Sequence, residues 1–306
     1  MHRGNARGPT AEQVMVERRR RLWPTFLLTA ALSTIPQLVA IATPATPAAK
    51  PIDPASIYVL AVGSCPPWRP KIRVCRHDVV QFAEAARDLI GVPANQITTL
   101  IDEEAMATAV RSAFANLQGS MPPGSTIVVY YVGHGMLLPK RGGAEGGTEE
   151  TFLLWSASFP FAALYAAQAG IWMTDAELGG LIDALPAESA LVVLDTCDAS
   201  GADGAVLSRP SRSPQIALMA SSRAHEIAFA DLTSATFTRN LVEAMRTRVP
   251  TLREAFLLAQ KETVAEAAMR CEGAVASGSA GEECTPQEPE LVDPSGLAKR
   301  IRLNSK

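Results

Sequence analysis

The sequence predicts an α/β protein with a mostly parallel central sheet and helices on both faces. Three observations carry that expectation. Strand and helix signals alternate from residue 57 onward, and the strand segments are apolar throughout rather than on one face. That is the signature of strands covered on both sides. Two of the strongest strands also end in polar, chemically capable residues, one in "GHG" and one in "DTC", at the sheet edge where α/β proteins bind ligands.

The elements follow in order. "IYVLAVG" (57–63) reads as a buried strand ending in glycine. "DVVQFAEAARDLIG" (78–91) has apolar residues at helical spacing, an acidic start and a terminating Gly91. "ITTLI" (97–101) is a short strand and "EEAMATAVRSAFANLQG" (103–119) an amphipathic helix. "STIVVYYVG" (125–133) is a strong strand and "FLLW" (152–155) a weak one. "TDAELGGLIDAL" (174–185) is a helix with Thr174 and Glu177 in capping-box spacing. "SALVVLD" (189–195) and "QIALMAS" (215–221) are strands, and helices cover 237–248 and 252–270. The segment 271–306, rich in Gly, Ser, Glu and Pro, reads as loop and tail.

Residues 1–54 read as something other than domain. Arg18 to Arg21 precede a mainly apolar run of about 20 residues, the length of a bilayer span. "AIA" (40–42) has the small residues of a cleavage site, and a Pro/Ala/Thr linker follows to Pro54. A signal peptide and a retained N-terminal membrane anchor both fit. Either reading exports the rest of the chain, to the periplasm, the medium or the outer side of a membrane.

The whole-chain numbers exclude several classes. With 306 residues, 47% of them hydrophobic, the chain can bury one sizeable core. A formal net charge of −3 and the lack of a basic stripe argue against nucleic acid as a partner. There is no P-loop and no His/Cys cluster at metal-ligand spacing, so neither metal nor cofactor is expected. "GGAEGG" (142–147) joins no strand to a helix and reads as a loop rather than a phosphate cradle.

Five cysteines are present, and four form sequence-local couples, Cys65 with Cys75 and Cys271 with Cys284. In an exported chain these are expected to be disulfides, each contributing about 3 kcal/mol in the loop-entropy model. Cys197 is left over. It is flanked by Asp195 and Asp198, and carboxylates disfavour the thiolate a nucleophile needs. His134, between Gly133 and Gly135, ends the other strong strand. A histidine and a cysteine at two strand ends are a spatial arrangement for base and nucleophile.

With "VVYYVGHG" and "VVLDTCDASG" in that order, the chain resembles the caspase and metacaspase superfamily of cysteine peptidases. "VCRHDVVQFAEAARDLIGVPANQITTLID" is similar to the first helix of metacaspases, and "ALMASSRAHEIAF…TFTRNLVEAM" to the strand and helix after the nucleophile. The resemblance spans about residues 56–260 and implies a caspase-like three-layer sandwich over 55–270. It implies Cys197 as nucleophile, His134 as general acid/base, and the N–H groups of Gly135 and Cys197 as oxyanion hole. It implies an acidic S1 pocket from Asp78 and Asp195, and matches Cys75 to a cysteine near the metacaspase active site. Asp198-Ala199-Ser200-Gly201 replaces the usual His-Ser-Gly, and the acidic calcium-binding stretch is missing apart from Asp175. Calcium is therefore not carried over.

The expected function is an endopeptidase cutting protein or peptide substrates after Arg, then Lys. Lys140, Arg141 and Arg212 are candidate self-cleavage points, and Arg209 a lesser one because Pro210 follows it. A catalytically silent caspase-like module that binds partners through an acidic cleft is the alternative. A different thiol hydrolase would need a G-x-S/C-x-G elbow, which the chain lacks.

Overall fold

The apolar runs form a sheet buried from both sides. The strands are β1 (Ile57–Ser64), β2 (Ile97–Ile101), β3 (Ser125–Gly133), β4 (Gly135–Pro139), β5 (Thr148–Leu153), β6 (Trp172–Thr174), β7 (Ala187–Asp195), β8 (Gln215–Ala220) and β9 (Glu290–Val292). The helices are α1 (Val74–Ala85), α2 (Ala107–Ser120), α3 (Asp175–Asp183), α4 (Thr236–Arg246), α5 (Leu252–Ser277) and α6 (Leu297–Arg300). The structure is a computed structural model and describes residues 50–65, 74–139, 148–155, 172–202, 215–278 and 284–304. Residues 48–306 belong to one compact unit.

The main sheet has the order β2-β1-β3-β7-β8-β9, parallel except for β9, which pairs antiparallel with β8. Successive side chains of a strand point to opposite faces, and here both faces are core. Val59, Val128, Tyr130, Leu191, Val193 and Met219 pack with α1, α4, α5 and α6. Leu60, Ile127, Val129, Val192, Leu194 and Leu218 pack with α2 and α3. The result is the expected three-layer α/β sandwich.

The structure departs from the sequence expectations in places. α1 begins at Val74, ahead of Asp78, because Val74 and Cys75 are buried and continue its apolar face. Asp78 is therefore a fully buried residue inside the helix and not its opening cap. The second helix starts at Ala107, after a single 3-10 turn, Asp102–Glu104. β4, β5 and β6 form a small antiparallel sheet. Only the end of β5 was expected, since such short strands carry little periodicity.

The segment 271–306 is not a loop and tail. α5 runs on to Ser277, β9 completes the sheet, and Leu297, Ala298, Ile301 and Leu303 are core residues. Their spacing among Gly, Pro and charged residues hid the pattern. At the other end, Ile52 already packs against the core and donates its N–H to Arg300 O.

Cys65–Cys75 and Cys271–Cys284 are disulfides, and Cys197 is free. Such bonds are compatible with an extracellular location. Among the described residues no helix is long and apolar enough to cross a membrane. The expected signal peptide or anchor, and the loops with Lys140, Arg141, Arg209 and Arg212, lie outside the described residues. Replacing fully buried Ile301 by Ala is expected to cost about 2–5 kcal/mol in urea unfolding, whereas a tail residue would cost nothing measurable.

Candidate active site

The parallel register of the two central strands brings the candidate residues together. Val132 of β3 lies opposite Asp195 of β7. His134 and Cys197 each stand two positions beyond that pair, just past the ends of neighbouring strands, which run about 4.8 Å apart. Both line one cleft of about 440 Å³, with Val132, Gly133 and Asp195. Cys65, Val74 and Cys75 flank it on the β1 side, and residues 227–231 and Ala235 on the β8 side.

The glycines around His134 serve close packing. A Cβ on Gly133 would lie 2.5 Å from Tyr131 Oη and 2.7 Å from Ser64 O. One on Gly135 would collide with Thr196 Oγ1 and lie 2.9 Å from Cys197 O. Only glycine lets the start of β4 rest on the turn that carries the thiol. The carbonyl of His134 accepts from Leu153 N–H (2.9 Å) and Tyr131 Oη (2.9 Å), which fixes the backbone there while the residue stays exposed.

Cys197 lies in a turn held by two serines at the end of β8. Ser221 Oγ accepts from Thr196 N–H and donates to Thr196 O, each at 3.1 Å. Ser222 Oγ donates to Thr196 O at 3.1 Å and accepts from Ala199 N–H at 3.3 Å. Asp198 has φ 61 and makes the turn rather than the chemistry. Its Oδ1 accepts from His225 N–H (2.7 Å) and its own N–H donates to Glu226 O (3.0 Å). Burial pushes the Cys197 thiol up from its ordinary pKa, and the charges of Asp198 and Asp195 push the same way. Ala228 N–H, 3.4 Å from Sγ, opposes them.

The two candidate carboxylates differ. Asp78 has both oxygens occupied. Ser234 Oγ donates to Oδ1 at 2.6 Å and Ala235 N–H to Oδ2 at 2.8 Å. Among the described residues it is absent from the cleft lining and sits behind Ala235. Burial raises its pKa against these hydrogen bonds.

Asp195 lines the cleft, 2% exposed. Its Oδ2 accepts from Thr238 N–H (2.8 Å) and Thr238 Oγ1 (2.6 Å). The Thr238 proton is thus spent, so Tyr130 Oη, 2.7 Å away, donates to Thr238 Oγ1. The Ser221 hydroxyl lies near enough to lower the Asp195 pKa, but its proton goes to Thr196 O, so the buried Asp195 Oδ1 is left without a hydrogen-bond donor. Burial, with the nearby charge of Asp78, pushes its carboxyl up to about 6.

A third carboxylate at the cleft, Asp231, was not anticipated. Burial alone would raise it, but the N–H groups of Thr233 and Ser234, the Thr233 hydroxyl and Arg239 hold it at about 2. Sequence reasoning also missed Ser221, Ser222, Ser234 and Thr238. The stretches "ALMASS" and "SATFT" hold all four, yet small hydroxyl residues after a strand carry no distinctive signal. Gln287 was hidden in the expected tail, yet it accepts from Phe229 N–H (3.0 Å) and donates to Ser221 O (3.1 Å). Thr174 caps α3, accepting from Glu177 N–H at 3.1 Å, and Asp175, the first residue of that helix, accepts from Ala176 N–H at 2.6 Å. Among the described residues no group of three His, Cys, Asp or Glu side chains could hold a metal ion.

The raised Asp195 pKa sets a sign for stability. The folded state holds this proton more tightly than the unfolded chain, whose carboxyl titrates near 3.8. Its contribution is therefore full below about pH 4 and lost as pH rises through about 6, on the order of 3 kcal/mol. Thermal unfolding of Asp195→Asn is expected to lack that decline, so its Tm relative to the parent should increase between pH 4 and 7.

Comparisons with known proteins agree with this architecture. The sequence model of the caspase domain, in the C14 peptidase group, matches residues 66–289. No curated protein matches the chain by sequence. Among solved structures, protein GSU0716 from Geobacter sulfurreducens is similar, with a TM-score of 0.54 at 16% identity, over 79% of this chain and 96% of that one. Caspase-1 from Spodoptera frugiperda gives a TM-score of 0.44 at 13% identity, over 78% of this chain and 85% of the other. The family match runs across most of the chain and takes in both strand ends at the cleft, so the protein belongs to the caspase-domain family of cysteine peptidases.

Proposed function

We propose that this protein is an exported cysteine endopeptidase that hydrolyses peptide bonds after Arg, and less readily after Lys. One observation carries the reading. His134 and Cys197 share a cleft with Asp195, whose Oδ1 is buried without a hydrogen-bond partner. A buried, half-satisfied carboxylate is costly unless a cation completes it. A guanidinium supplies both the charge and the N–H donors. Asp78 adds negative charge from behind Ala235 and holds that wall.

In this reading Cys197 Sγ gives its proton to His134 and attacks the carbonyl carbon, forming a C–S bond. The resulting oxyanion is met by the N–H groups of Gly135 and Cys197, whose backbones the absent Gly135 side chain allows to touch. The imidazolium protonates the leaving amine as the C–N bond breaks. Water, deprotonated by His134, then cleaves the thioester and restores the thiol.

The empty cleft disfavours the thiolate, since Asp195 is among the charges that raise the thiol pKa. A P1 cation neutralises that charge. Substrate thus lowers the thiol pKa at the moment the thiolate is needed.

Cys197→Ala and His134→Ala are each expected to abolish turnover while leaving the unfolding curve in place. Asp195→Asn should lower kcat/KM for Arg peptides on the order of a hundredfold or more, with a smaller loss for Asp78→Asn. Efficient cleavage after Asp would overturn the basic preference. In the parent enzyme, kcat/KM for Arg peptides should climb with pH through about 6 as Asp195 ionises, and Asp195→Asn should lose that limb. Self-processing at Lys140, Arg141 or Arg212 should appear in the intact mass of the active protein and be absent from Cys197→Ala.

A further inference from the structure

We propose that the Cys65–Cys75 disulfide is a specificity-determining part of the substrate pocket, so that basic-residue recognition is lost when it is reduced. The inference rests on the basic-P1 reading and deepens it. Both half-cystines line the cleft that holds His134, Cys197 and Asp195. The bond ties the residue that follows β1 to the first turn of α1. It also supplies a hydrogen-bond acceptor where one is needed. The first N–H groups of a helix have no intrahelical partner, and Cys75 N–H donates to Cys65 Sγ at 3.3 Å.

The first turn of α1 controls more than its own position. Asp78 lies three residues after Cys75, on the same side of the helix. Its carboxylate, outside the cleft lining, receives Ser234 Oγ–H and Ala235 N–H from the segment that carries the wall opposite the disulfide. The disulfide therefore sets one wall directly and the opposite wall through Asp78. The helix also presses on β1, since a Cβ on Gly63 would lie 2.6 Å from Val79 and 2.9 Å from Cys75 O.

His134 and Cys197 take their main supports elsewhere. They are carried by the β3 and β7 ends and by Ser221 and Ser222. Loss of the bond should therefore weaken binding of the P1 side chain and spare the chemical step.

The test uses the full chain with two readouts. One is kcat and KM on an Arg-P1 reporter peptide. The other is the Kd of benzamidine, a guanidinium-like cation, measured by calorimetry on Cys197→Ala protein. The paired substitution Cys65→Ala/Cys75→Ala is expected to raise both KM and Kd on the order of tenfold, with kcat held within about twofold. In an Asp78→Asn background the same pair should have a much smaller effect, because the relay is already cut.

A second arm does not rely on the variant folding. In a Cys271→Ala/Cys284→Ala background, a dithiol reductant converts the remaining disulfide to two thiols. It passes two electrons and two protons to the protein and becomes a cyclic disulfide. Benzamidine affinity should fall in step with the new thiols at Cys65 and Cys75, and recover on reoxidation. A lower Tm with unchanged KM and Kd would overturn the proposal and leave the bond a staple of the fold. A loss confined to kcat would overturn it too. A parent protein that neither binds benzamidine nor cleaves after Arg would overturn the basic-P1 reading itself, a separate and recognisable result.

Discussion

The pairing of β3 with β7 is the constraint on which the cleft depends. Two strands, buried on both faces by apolar side chains, run parallel and keep one register from Thr126 onward, with Val132 against Asp195. A slip of one residue would exchange the two faces of the core. It would send Tyr130, stacked on Phe82 at 4.2 Å, to the α2 side and Tyr131 to the α1 side. The core thus locks the register, and the register places His134 beside Cys197.

Above that platform the site is assembled from backbone polar groups and hydroxyls. Ser221 and Ser222 clamp the peptide groups on either side of Thr196, and Thr238 and Tyr130 form a donor chain that ends on Asp195. Each of these groups is satisfied internally, so none is left to compete for substrate. The exception is Asp195 Oδ1. Thr196 Oγ1 is also buried without a partner, but Thr196 does not line the cleft, whereas Asp195 does. An unsatisfied buried acceptor discriminates strongly between ligands that complete it and ligands that do not.

Much of the central sheet was legible in the sequence, because continuous apolar runs such as "STIVVYYVG" admit few other fates. The two strand-end motifs were legible for the same reason, as polar residues placed where such runs stop. The small β4–β6 sheet was not, since its strands gain their hydrogen bonds from one another and show no period of their own. Asp78 is a middle case. Its residue type and helix could be read, but its burial could not, because the partners that make burial tolerable, Ser234 and Ala235, lie 156 and 157 residues away. The C-terminal segment failed for a related reason. It contributes the end of α5, the short β9 and α6, a few core side chains and one glutamine, pieces too short to show a period of their own.

That glutamine has a consequence for how the protein comes into being. Gln287 joins Phe229 in the cleft wall to Ser221 beneath the thiol, and it follows Ser221 by 66 residues. β9, which covers the open side of β8, comes later still. At ribosomal speed this interval is on the order of several to ten seconds. During it the nascent chain already carries Cys197 and His134, but the brace for the wall beside them has not been made. The two strand ends that meet at the cleft are thus synthesised early, and the brace that holds the wall beside them is completed late.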